Sequence, residues 1–506
     1  MGLPSWIEPL YDAAEMRQAD TWAIEAGGTS GLSLMETAGA ALAYHAGGLS
    51  RPGPVRVVCG KGNNAGDGVV AARHLHLAGY EVELLLLFGE DQLSRDAKVN
   101  LSRYEGIRRR VEGERLKYSL GGSGVVIDAI FGTGFTGTPR APIDAAIEAI
   151  NESGAPIVAC DIPSGVNAND GEVARVAVRA DRTVSFDTAK VGHWVRPGKR
   201  FCGELVMVDI GIPPDAPPTP AHGLINPAVL ALAPRRGPDS NKLSNGRVVV
   251  VGGSRGLSGA VCLAAEAAMR AGAGYVQMVV PRGLEVIFEA KLTEAMSIGV
   301  AGRDGYLDAR AGPEIAALCE GAAAVVLGPG LGRAEWCLEL ARGLVEAIGS
   351  PLVIDADALR ALDGGLAGLR RRDAPTVLTP HAGELGAILG LESAEVNARR
   401  LAAARDLVKR SGAICLLKGD DTIVACETTT AINRIAAPGL ATAGSGDVLG
   451  GLIAALLARG MDPFAAACAG VVAHSRAGVA AAGAIGSAES VIAGDLIAAL
   501  PKALIA

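Results

Sequence analysis

Residues 439–449 combine a glycine-rich turn with one carboxylate at the start of an apolar segment, in the order Gly-Leu-Ala-Thr-Ala-Gly-Ser-Gly-Asp-Val-Leu. The apolar residues that follow predict a helix over roughly 447–458. Free backbone N–H groups and the positive dipole end at such a helix start bind phosphate. A carboxylate repels a polyphosphate but suits a general base, which makes Asp447 a candidate catalytic residue. The alternative is that Asp447 is only the N-cap of the helix, a position that Asp favours.

Three loops in the first part of the chain carry polar side chains directly after apolar segments. They are 60–68 (Gly-Lys-Gly-Asn-Asn-Ala-Gly-Asp-Gly), 128–135 (Asp-Ala-Ile-Phe-Gly-Thr-Gly-Phe) and 161–166 (Asp-Ile-Pro-Ser-Gly-Val). Glycines let the backbone approach a ligand closely, and Asn side chains offer both donors and acceptors. If the preceding segments are parallel strands, the three loops converge on one edge of a sheet, where ligands bind. For any single loop the alternative is an ordinary capped turn.

The second part of the chain shows the same arrangement. Its polar loops are Gly-Gly-Ser at 252–254, Gly-Pro-Gly-Leu-Gly at 328–332, Asp-Ala-Asp at 355–357, Thr-Pro-His-Ala-Gly-Glu at 379–384 and Lys-Gly-Asp-Asp-Thr at 418–422. Asp355 and Asp357 either cap a helix or hold Mg²⁺. A single His is usually structural, but His381 is better placed than most because it follows a strand and a rigid Thr-Pro. No Gly-x4-Gly-Lys-Ser/Thr segment occurs, which excludes a P-loop ATPase.

Apolar segments alternate with helical patterns throughout the chain. The predicted strands are 55–59, 81–88, 125–130 and 156–161 in the first part, and 247–251, 275–280, 323–327, 351–355, 376–379 and 413–418 in the second. Helices are predicted over 67–78 and 142–151, and another begins at Ser258. Continuous apolar strands that alternate with helices predict mostly parallel sheets covered on both faces. The expected fold class is therefore α/β, with a doubly wound sheet in each part.

A proline-rich segment at 212–220, Ile-Pro-Pro-Asp-Ala-Pro-Pro-Thr-Pro, separates the two parts. Proline at this density cannot continue a helix or a central strand, so the segment is interpreted as an extended spacer. A chain of 506 residues is too long for one ordinary core. We therefore expect one domain over 1–220 and another over 221–506.

Composition and charge restrict the class of protein. A net charge of −7 without a sustained Lys/Arg run disfavours a nucleic-acid partner. Nine Cys without CxxC pairs or His clusters disfavour zinc sites and disulfides and favour a reduced, cytoplasmic protein. Residues 1–8 do not resemble a signal peptide. The apolar runs 448–458 and 464–473 reach about half of the ~20 residues that a bilayer requires, so no membrane partner is expected.

The first part resembles the YjeF N-terminal domain family, the NAD(P)HX epimerases, which are Rossmann-like. The resemblance covers Leu-Met-Glu-Thr-Ala-Gly at 34–39, the Asn-Asn loop, the Asp128 loop, the Asp161-Ile-Pro-Ser-Gly motif and Lys190. It implies that Asn64, Asp128 and Ser164 hold a potassium ion. Asp161 is the candidate acid or base, because it ends a strand beside the two glycine loops. The dinucleotide contacts that the resemblance implies are Asn63, Asn64, Ala65, Gly66, Asp67, Gly132, Thr133, Gly134, Phe135, Thr136, Gly137, Thr138 and Asp161. Ala65 stands where the usual loop has Gly, and a Cβ is harmless there if φ is negative but strained if φ is positive.

The second part resembles the ribokinase-like fold and, within it, the YjeF C-terminal family, the ADP-dependent NAD(P)HX dehydratases. The Gly-Gly-Ser, Gly-Pro-Gly-Leu-Gly, Asp-Ala-Asp, Thr-Pro-His-x-x-Glu and Gly-Ser-Gly-Asp segments occur in family order over roughly 240–500. The substrate contacts that the resemblance implies are Ala260, Gly332, His381 and Asp447. The implied ADP contacts are Lys418, Gly419, Asp420, Asp421, Thr422 and Gly446, with Mg²⁺ accompanying the nucleotide.

Together the two resemblances imply a bifunctional enzyme that repairs hydrated nicotinamide nucleotides. It would interconvert R- and S-NAD(P)HX and dehydrate the S form to NAD(P)H, with conversion of ADP to AMP and phosphate. Asp447 would take the proton of the ring hydroxyl as that oxygen attacks the β-phosphate of ADP. The family resemblance implies ADP over ATP. Asp420 and Asp421 give this preference slight physical support, since they would repel a longer anionic tail; alternatively, this acidic pair points to solvent at a hairpin turn. A homo-oligomer is also expected.

Two alternatives use the same motifs. A ribokinase-like kinase of a small alcohol would employ the same Gly-Ser-Gly-Asp turn, and the first domain would then be a non-catalytic binding module. The attached epimerase-like domain and the Thr-Pro-His-x-x-Glu motif disfavour the kinase. The presence of Asp128, Asp161 and the 132–134 glycine loop disfavours a non-catalytic first domain.

Overall fold

The computed structural model describes residues 2–213, 216 and 219–506 and divides the chain into two compact units. The first domain contains Pro9–Gly223, and the second contains Pro4–Glu8 together with Leu224–Ala506. Part of the predicted proline spacer, namely Pro214, Asp215, Pro217 and Pro218, lies outside the described residues.

The elements of the first domain follow an N-terminal strand, β1 (Ile7–Leu10), which belongs to the sheet of the second domain. The strands of the first domain are β2 (Val55–Cys59), β3 (Val82–Leu86), β4 (Ile107–Arg110), β5 (Val125–Ala129), β6 (Ile157–Cys160), β7 (Arg182–Phe186) and β8 (Glu204–Val208). Its helices are α1 (Ala13–Glu25), α2 (Gly31–Gly47), α3 (Asn63–Leu77), α4 (Arg95–Ser102), α5 (Leu116–Leu120), α6 (Ile143–Asn151) and α7 (Val191–Trp194).

The first sheet is seven-stranded, in the order β4-β3-β2-β5-β6-β7-β8, and its paired strands are parallel. The register places Val58 of β2 opposite Asp128 of β5. The chain runs outward from β2 to β4, then returns to β5 and continues to β8. The direction of winding therefore switches between β2 and β5, where a parallel sheet opens a crevice for ligands.

Side chains of the central strands alternate between two apolar clusters. Val57 and Ile127 pack in the cluster that contains residues of α1, α2 and α3. Val58 and Val126 pack in the opposite cluster, with residues of α5 and α6. Because successive side chains of a strand point to opposite faces, the sheet is covered by helices on both sides. The prediction of a doubly wound α/β domain is confirmed, as are the predicted strands.

The second domain contains a larger mixed sheet. Its strands are β9 (His222–Ile225), β10 (Arg247–Val251), β11 (Tyr275–Pro281), β12 (Met296–Val300), β13 (Gly302–Arg303), β14 (Tyr306–Leu307), β15 (Ala324–Leu327), β16 (Leu352–Ile354), β17 (Thr376–Leu378), β18 (Ile414–Leu417), β19 (Ile423–Ala425) and β20 (Thr430–Ile432). Its helices are α8 (Ser258–Arg270), α9 (Glu285–Lys291), α10 (Gly312–Cys319), α11 (Glu335–Ala347), α12 (Leu366–Leu369), α13 (Ala382–Leu389), α14 (Ser393–Ala398), α15 (Arg400–Ser411), α16 (Ser445–Ala458), α17 (Pro463–Ile485) and α18 (Ala493–Ala503).

The order of the eleven-stranded sheet is β1-β9-β20-β19-β18-β17-β16-β15-β10-β11-β12. The block from β18 to β12 is parallel, whereas β18, β19 and β20 pair antiparallel. The winding switches between β10 and β15, which again places a ligand crevice at the ends of these strands. Strands β13 and β14 form a separate hairpin. The predicted strands of this part are confirmed, whereas β1, β9, β12, β19 and β20 were not predicted.

Three helices differ in extent from their sequence-based predictions. Helix α3 begins at Asn63 instead of residue 67, and α16 begins at Ser445 instead of 447. The apolar run 464–473 belongs to the 23-residue helix α17, which is long and apolar enough to cross a membrane. However, 78% of its apolar window is buried inside the structure, as expected for the core helix of a folded domain.

Candidate active sites

A cavity of about 630 Å³ lies at the switch point of the first sheet. It brings together the ends of β2, β5 and β6 with one face of α1 and the start of α2. Of the residues expected to contact a dinucleotide, those that line it are Asn63, Asn64, Asp67, Gly132, Thr133, Gly134, Phe135, Thr136 and Asp161. The predicted convergence of the three polar loops is therefore seen in the structure.

Asp161 follows β6 in a left-handed backbone conformation, with a φ of 62° that non-glycine residues rarely adopt. Its Oδ1 accepts hydrogen bonds from Lys190 Nζ at 2.7 Å, Ser185 Oγ at 3.1 Å and Phe186 N at 3.3 Å. Lys190 is fully buried, and its other two bonds go to Ser185 Oγ and the Phe186 carbonyl. The pair is thus a desolvated ion pair held in one geometry, and Oδ2 of Asp161 accepts no hydrogen bond among the described residues.

The electrostatics of this pair favour an ionised carboxylate. Burial acts to raise the pKa of Asp161, but the Lys190 ammonium outweighs it and holds that pKa below the usual Asp value. Burial and the Lys190 charge lower the pKa of His193 to about 4, so its ring is neutral. Its Nδ1 accepts from the Lys190 N–H, so Nε2 carries the proton and donates to the Asp161 carbonyl at 2.9 Å. This hydrogen bond from His193 therefore stabilises the strained backbone of Asp161.

The expected potassium ligands form a connected set that we call the oxygen cluster: Asn64, Asp128 and Ser164. Asp128 is fully buried and accepts from Ser164 Oγ at 2.7 Å and Ser164 N at 2.8 Å. Asn64 Nδ2 donates to the Phe131 carbonyl, and Phe131 N donates to Ser164 Oγ, both at 2.9 Å. Burial raises the pKa of Asp128 to about 6. The cluster offers oxygen ligands around one buried carboxylate, including Oδ1 of Asn64, which accepts no hydrogen bond from the described residues.

The Asn-Asn loop is the first turn of α3, which corrects its interpretation as a loop. The N-cap Gly62 makes no side-chain capping bond, so the first N–H groups of the helix remain available for an anion. Ala65 is helical and buried, so its Cβ is not strained. A Cβ at Gly66 would lie 2.5 Å from the Met35 sulfur, which shows that this glycine serves close packing.

An aromatic pair closes the same cavity. The rings of Phe131 and Phe135 stack with centroids 4.5 Å apart and planes 14° from parallel. Both rings line the cavity, together with the 132–134 segment between them. Of the predicted loop 132–138, residues 132–136 belong to the lining, whereas Gly137 and Thr138 do not, and neither do Ala65 and Gly66 of the Asn-Asn segment. The stacked rings offer a flat apolar surface to a heterocyclic ligand.

The glycine loops of the second domain meet at the switch between β10 and β15. Ser254 Oγ donates to the Gly330 carbonyl at 2.7 Å, which joins the two loops. Gly332 has a φ of 96°, and a Cβ there would lie 2.8 Å from the Tyr306 ring. Its N–H donates to Asp357 Oδ2 at 3.0 Å, while Arg333 Nε bonds Oδ1 of the same carboxylate. Asp357 therefore positions the Gly332 turn.

Asp355 and Lys418 form the centre of the second site. Lys418 Nζ donates to Asp355 Oδ1 at 3.0 Å, and Thr379 Oγ1 donates to the same oxygen at 2.7 Å. Burial acts to lower the pKa of Lys418, but Asp355 and then Glu384 raise it above the usual Lys value. A Cβ at Gly446 would lie 3.3 Å from Lys418 Nζ. The ammonium is thus fixed beside the Gly-Ser-Gly-Asp turn.

The Gly-Ser-Gly-Asp turn starts α16 with an uncapped N-terminus. Gly444 is the N-cap, with a φ of 84° and no side-chain capping bond, and the helix begins at Ser445. Asp447 therefore lies in the first turn and is not the N-cap, which corrects the alternative interpretation. Burial and then the Asp355 charge raise the pKa of Asp447 to about 7, although Lys418 lowers it. A carboxyl with this pKa is suited to proton transfer near neutral pH.

Two other expected substrate contacts lie at helix starts. Ala260 is in the first turn of α8, whose N-cap Leu257 makes no side-chain capping bond. His381 is the N-cap of α13, and its Nδ1 accepts from Gly383 N at 3.0 Å and Glu384 N at 3.2 Å. Nδ1 of His381 therefore has a structural role, as is usual for a single His. In the neutral ring the proton then sits on Nε2, which can donate to a ligand.

The segment from Lys418 to Thr422 departs from expectation at Asp421. Thr422 Oγ1 donates to the Gly419 carbonyl at 2.6 Å and closes the turn. Asp421 does not point to solvent, because it is fully buried with Arg400, whose Nε donates to Asp421 Oδ2 at 3.0 Å. Since this charge is neutralised inside the domain, Asp421 cannot discriminate between nucleotide tails.

Among the described residues, no group of three His, Cys, Asp or Glu side chains could hold a metal ion.

Sequence reasoning missed functional candidates that come from outside the polar loops. Asp20 lines the first cavity from α1, where it carries no motif. His474 of α17 bonds Ser445 Oγ through Nε2 at 3.1 Å and is buried. Burial lowers the pKa of His474 to about 4, so it is a neutral partner of the turn. Only helical spacing relative to the apolar neighbours Met16 and Ile24 could have pointed to Asp20.

Comparison with known proteins gives a family match for each domain. The profile described as NAD(P)H-hydrate dehydratase matches residues 248–502, and the profile described as YjeF-related protein N-terminus matches residues 31–192. The bifunctional NAD(P)H-hydrate repair enzyme Nnr of Salinibacter ruber is 39% identical, covering 98% of this chain and 96% of its own length. The enzyme of the same name from Moorella thermoacetica is 38% identical, with 98% and 96% covered.

Among solved structures, the ADP/ATP-dependent NAD(P)H-hydrate dehydratase from Bacillus subtilis, co-crystallized with ATP/Mg²⁺, is similar to the second domain. It is 28% identical, and the match covers 54% of this chain and 94% of that chain with a TM-score of 0.46.

Proposed function

The chain belongs to the family of bifunctional NAD(P)H-hydrate repair enzymes, and we propose that each of its two domains performs one of the two reactions. Water adds to reduced nicotinamide in two configurations. The first domain acts as an isomerase that interconverts the two epimers, and the second acts as a lyase that removes water from one of them. Together they return both epimers of NAD(P)HX to NAD(P)H.

The dehydratase assignment depends chiefly on Asp447, a mostly buried carboxyl with a pKa of about 7 at an uncapped helix start. Hydroxide is a poor leaving group, so the ring hydroxyl is first phosphorylated. Asp447 takes the hydroxyl proton as the oxygen attacks the β-phosphate of ADP, and AMP leaves. The N–H groups of the 444–446 turn stabilise the charge on the transferring group. Loss of phosphate from the ring then gives NAD(P)H.

The nucleotide would bind along the segment from Lys418 to Thr422 and Gly446. Lys418 is the cation held beside that turn, so it is suited to contact a phosphate. Mg²⁺ usually enters such sites with the nucleotide, bound by one or two carboxylates and several waters. Asp355 fits this role, because its hydrogen bonds from Lys418 and Thr379 both go to Oδ1. Asp421 is already paired with Arg400 and does not select the nucleotide. The preference for ADP over ATP is therefore supported by family resemblance.

The epimerase reaction is assigned to the cavity of the first domain, with Asp161 as the catalytic carboxylate. Oδ2 of Asp161 accepts no hydrogen bond from the residues that the structure describes, whereas Lys190 keeps the group ionised. The oxygen cluster fits a potassium ion, because it surrounds a fully buried carboxylate with neutral oxygen ligands. Such an ion would offset negative charge where the dinucleotide phosphates approach the start of α3.

One coupled assay tests both activities. The purified protein is incubated with mixed epimers of hydrated NADH and ADP, and NADH is followed by absorbance at 340 nm. Full conversion with equimolar free phosphate is expected, whereas a small-alcohol kinase would release a stable phosphorylated product. Conversion that stops when one epimer is exhausted would contradict the epimerase assignment. Replacement of K⁺ by Li⁺ should slow only the conversion of the second epimer.

Location and assembly are proposed from the cysteine residues and from one exposed surface of the first domain. All nine Cys are unpaired thiols and eight are buried, which fits a reducing, cytoplasmic environment. A homo-oligomer is supported by an exposed aromatic patch on the first domain, where Tyr44 and Tyr80 border a cavity of about 680 Å³. Sedimentation analysis of the wild type and of Tyr44→Ser tests the assembly, which should weaken in the variant.

A further inference from the structure

Four carboxyl groups line the cavity of the first domain, and they differ in their partners. One of them is Asp96, in the first turn of α4. Asp161 follows β6, Asp67 lies on α3 and Asp20 lies on α1. Asp161 is tied to Lys190 through Oδ1. In contrast, the Asp20 and Asp67 carboxyls accept no hydrogen bond within the described part of the chain. Asp161 is therefore a fixed anion of the cavity, whereas the carboxyl groups of Asp20 and Asp67 remain available to a ligand.

Asp20 projects from a helix face that is otherwise largely apolar at this point. Met16, Asp20 and Ile24 recur at a spacing of four residues, and all three line the cavity. A carboxyl between apolar neighbours holds its proton more firmly than one in water. Accordingly, the pKa of Asp20 is raised to about 6, chiefly by burial. The charge of Lys190 acts to lower this pKa, whereas the charges of Asp161 and Asp187 act to raise it. Asp20 is thus a proton donor placed close to an ionised carboxylate.

We propose that Asp20 is a second catalytic residue of the epimerase, the general acid that works with Asp161 as the base. This inference rests on the epimerase activity assigned above to the first domain. The two carboxyl groups share one cavity but differ in their contacts, because Asp161 is bonded to the Lys190 ammonium, whereas Asp20 lies between the apolar Met16 and Ile24 on α1. Environments that separate two carboxyl groups in this way assign acid and base roles in hydrolytic enzymes.

The proposed reaction requires no reactant other than the substrate and water. Asp20 transfers its proton to the hydroxyl on the ring carbon next to the ring nitrogen, and the C–O bond breaks to release water. The nitrogen lone pair forms a C=N bond, which gives a planar iminium cation. A water molecule then adds to the opposite face, its proton passes to Oδ2 of Asp161, and the electron pair returns to nitrogen. Proton return from Asp161 to Asp20 through cavity water completes the cycle.

Asp67 is the competing candidate for the acid. Burial, and then the Asp161 and Asp20 charges, raise its pKa well above the usual Asp value. An acid that holds its proton so firmly transfers it less readily near neutral pH than one with a pKa close to the working range. Asp67 also lies one turn into α3, beside the N–H groups that suit the dinucleotide phosphates. We therefore assign Asp67 to binding and Asp20 to proton transfer.

The test compares full-length variants Asp20→Asn, Asp20→Glu, Asp67→Asn and Glu25→Gln. Glu25 is the matched control, an exposed carboxylate at the end of the same helix and outside the cavity. Epimerisation of a single purified epimer is followed by chromatography, with subtraction of the spontaneous rate, and kcat and KM are determined separately. Dehydration of the correct epimer and the thermal transition of the first domain are measured in parallel.

Asp20→Asn should lower kcat for epimerisation by about 10²–10⁴-fold with KM within about threefold of wild type. Asp20→Glu should recover part of that loss, and Glu25→Gln should behave as wild type. Asp67→Asn should mainly raise KM. If Asp20→Asn lowers the temperature of the thermal transition, the Asp20→Glu variant separates loss of the acid from loss of stability. Glutamate retains the acid but shifts the pH profile of kcat.

The pH profile provides a readout that a structural role would not change. Wild-type kcat should fall as the pH increases from 6 to 9, since Asp20 loses its proton among Arg17, Asp67, Asp161, Asp187 and Lys190. Asp20→Asn should abolish that dependence. A variant with kcat within threefold of wild type, or with an unchanged pH profile, overturns the assignment, as does a larger kcat loss in Asp67→Asn. A wild-type protein that does not epimerise at all would instead contradict the proposed function of the domain.

Discussion

Replacement of Asp447 by Asn should abolish dehydration and at the same time stabilise the second domain. The change is nearly isosteric and removes only the ability to accept a proton. Loss of a general base typically costs ~10²–10⁴-fold in rate. Because the pKa of Asp447 is about 7, wild-type kcat should also rise with pH through this value and level off above it. The variant should show neither the activity nor this pH dependence.

The effect on stability follows from the same pKa. The folded-state pKa is raised from 3.8 to about 7, so folding binds a proton between these values. Well below pH 3.8 the carboxyl is protonated in both states, and it does not affect the stability. Between pH 3.8 and about 7 the unfolded chain ionises while the folded domain keeps the proton. The folded domain therefore loses ~1.4 kcal/mol of stability per pH unit in this range, and the loss levels off above about pH 7. With allowance for partial solvent contact, Asp447→Asn should gain about 2–4 kcal/mol at pH 8 and almost nothing at pH 4.

The measurement is urea unfolding of the full chain at pH 4, 6 and 8, combined with the NADH assay. Asp363→Asn is the matched control, because Asp363 is an exposed carboxylate of the same domain outside the site. It should change neither activity nor stability by more than about 0.5 kcal/mol. Near-normal turnover of Asp447→Asn would refute the role of general base. A stability gain that is equal at pH 4 and pH 8 would refute the electrostatic account of its pKa.

Three further substitutions test individual contacts. Asp161→Ala should block epimerisation but not dehydration, and it should destabilise the first domain by about 3–5 kcal/mol, because Lys190 stays buried without its carboxylate. Epimer chromatography with thermal unfolding measures both effects, and a wild-type epimerisation rate would contradict the assignment. Asp421→Ala should destabilise the second domain by about 3–5 kcal/mol through the loss of its pair with Arg400. The ratio of kcat/KM for ADP and ATP should not change, and a changed ratio at constant stability would show a direct nucleotide contact. Trp6→Ala should lower the unfolding free energy of the second domain by about 3–5 kcal/mol, since Trp6 is 8% exposed and packs 6.0 Å from an aromatic ring of α17. An unchanged thermal midpoint would contradict that packing.

Much of the architecture could be predicted from the order of residues. Strands such as β5 and β10 are marked by runs of Val and Ile, because both of their faces are buried. The polar loops follow these runs directly, so their convergence at one sheet edge is a consequence of parallel topology. In contrast, β4 reads Ile-Arg-Arg-Arg and is exposed along its whole length, which leaves no pattern to detect. The pairing of β1 with the second domain likewise has no local signal.

The chemistry of the sites depends on pairings between residues that are distant in the chain. Asp161 and Lys190 are 29 residues apart, and Asp421 and Arg400 are 21 apart. Sequence alone could name Asp421 as acidic but could not show that a buried guanidinium neutralises it. The difference between Asp161, held ionised, and Asp20, which retains its proton more firmly, depends on which neighbours the folded chain supplies. Burial and opposing charges set a pKa, and both are fixed only when the strands and helices pack together.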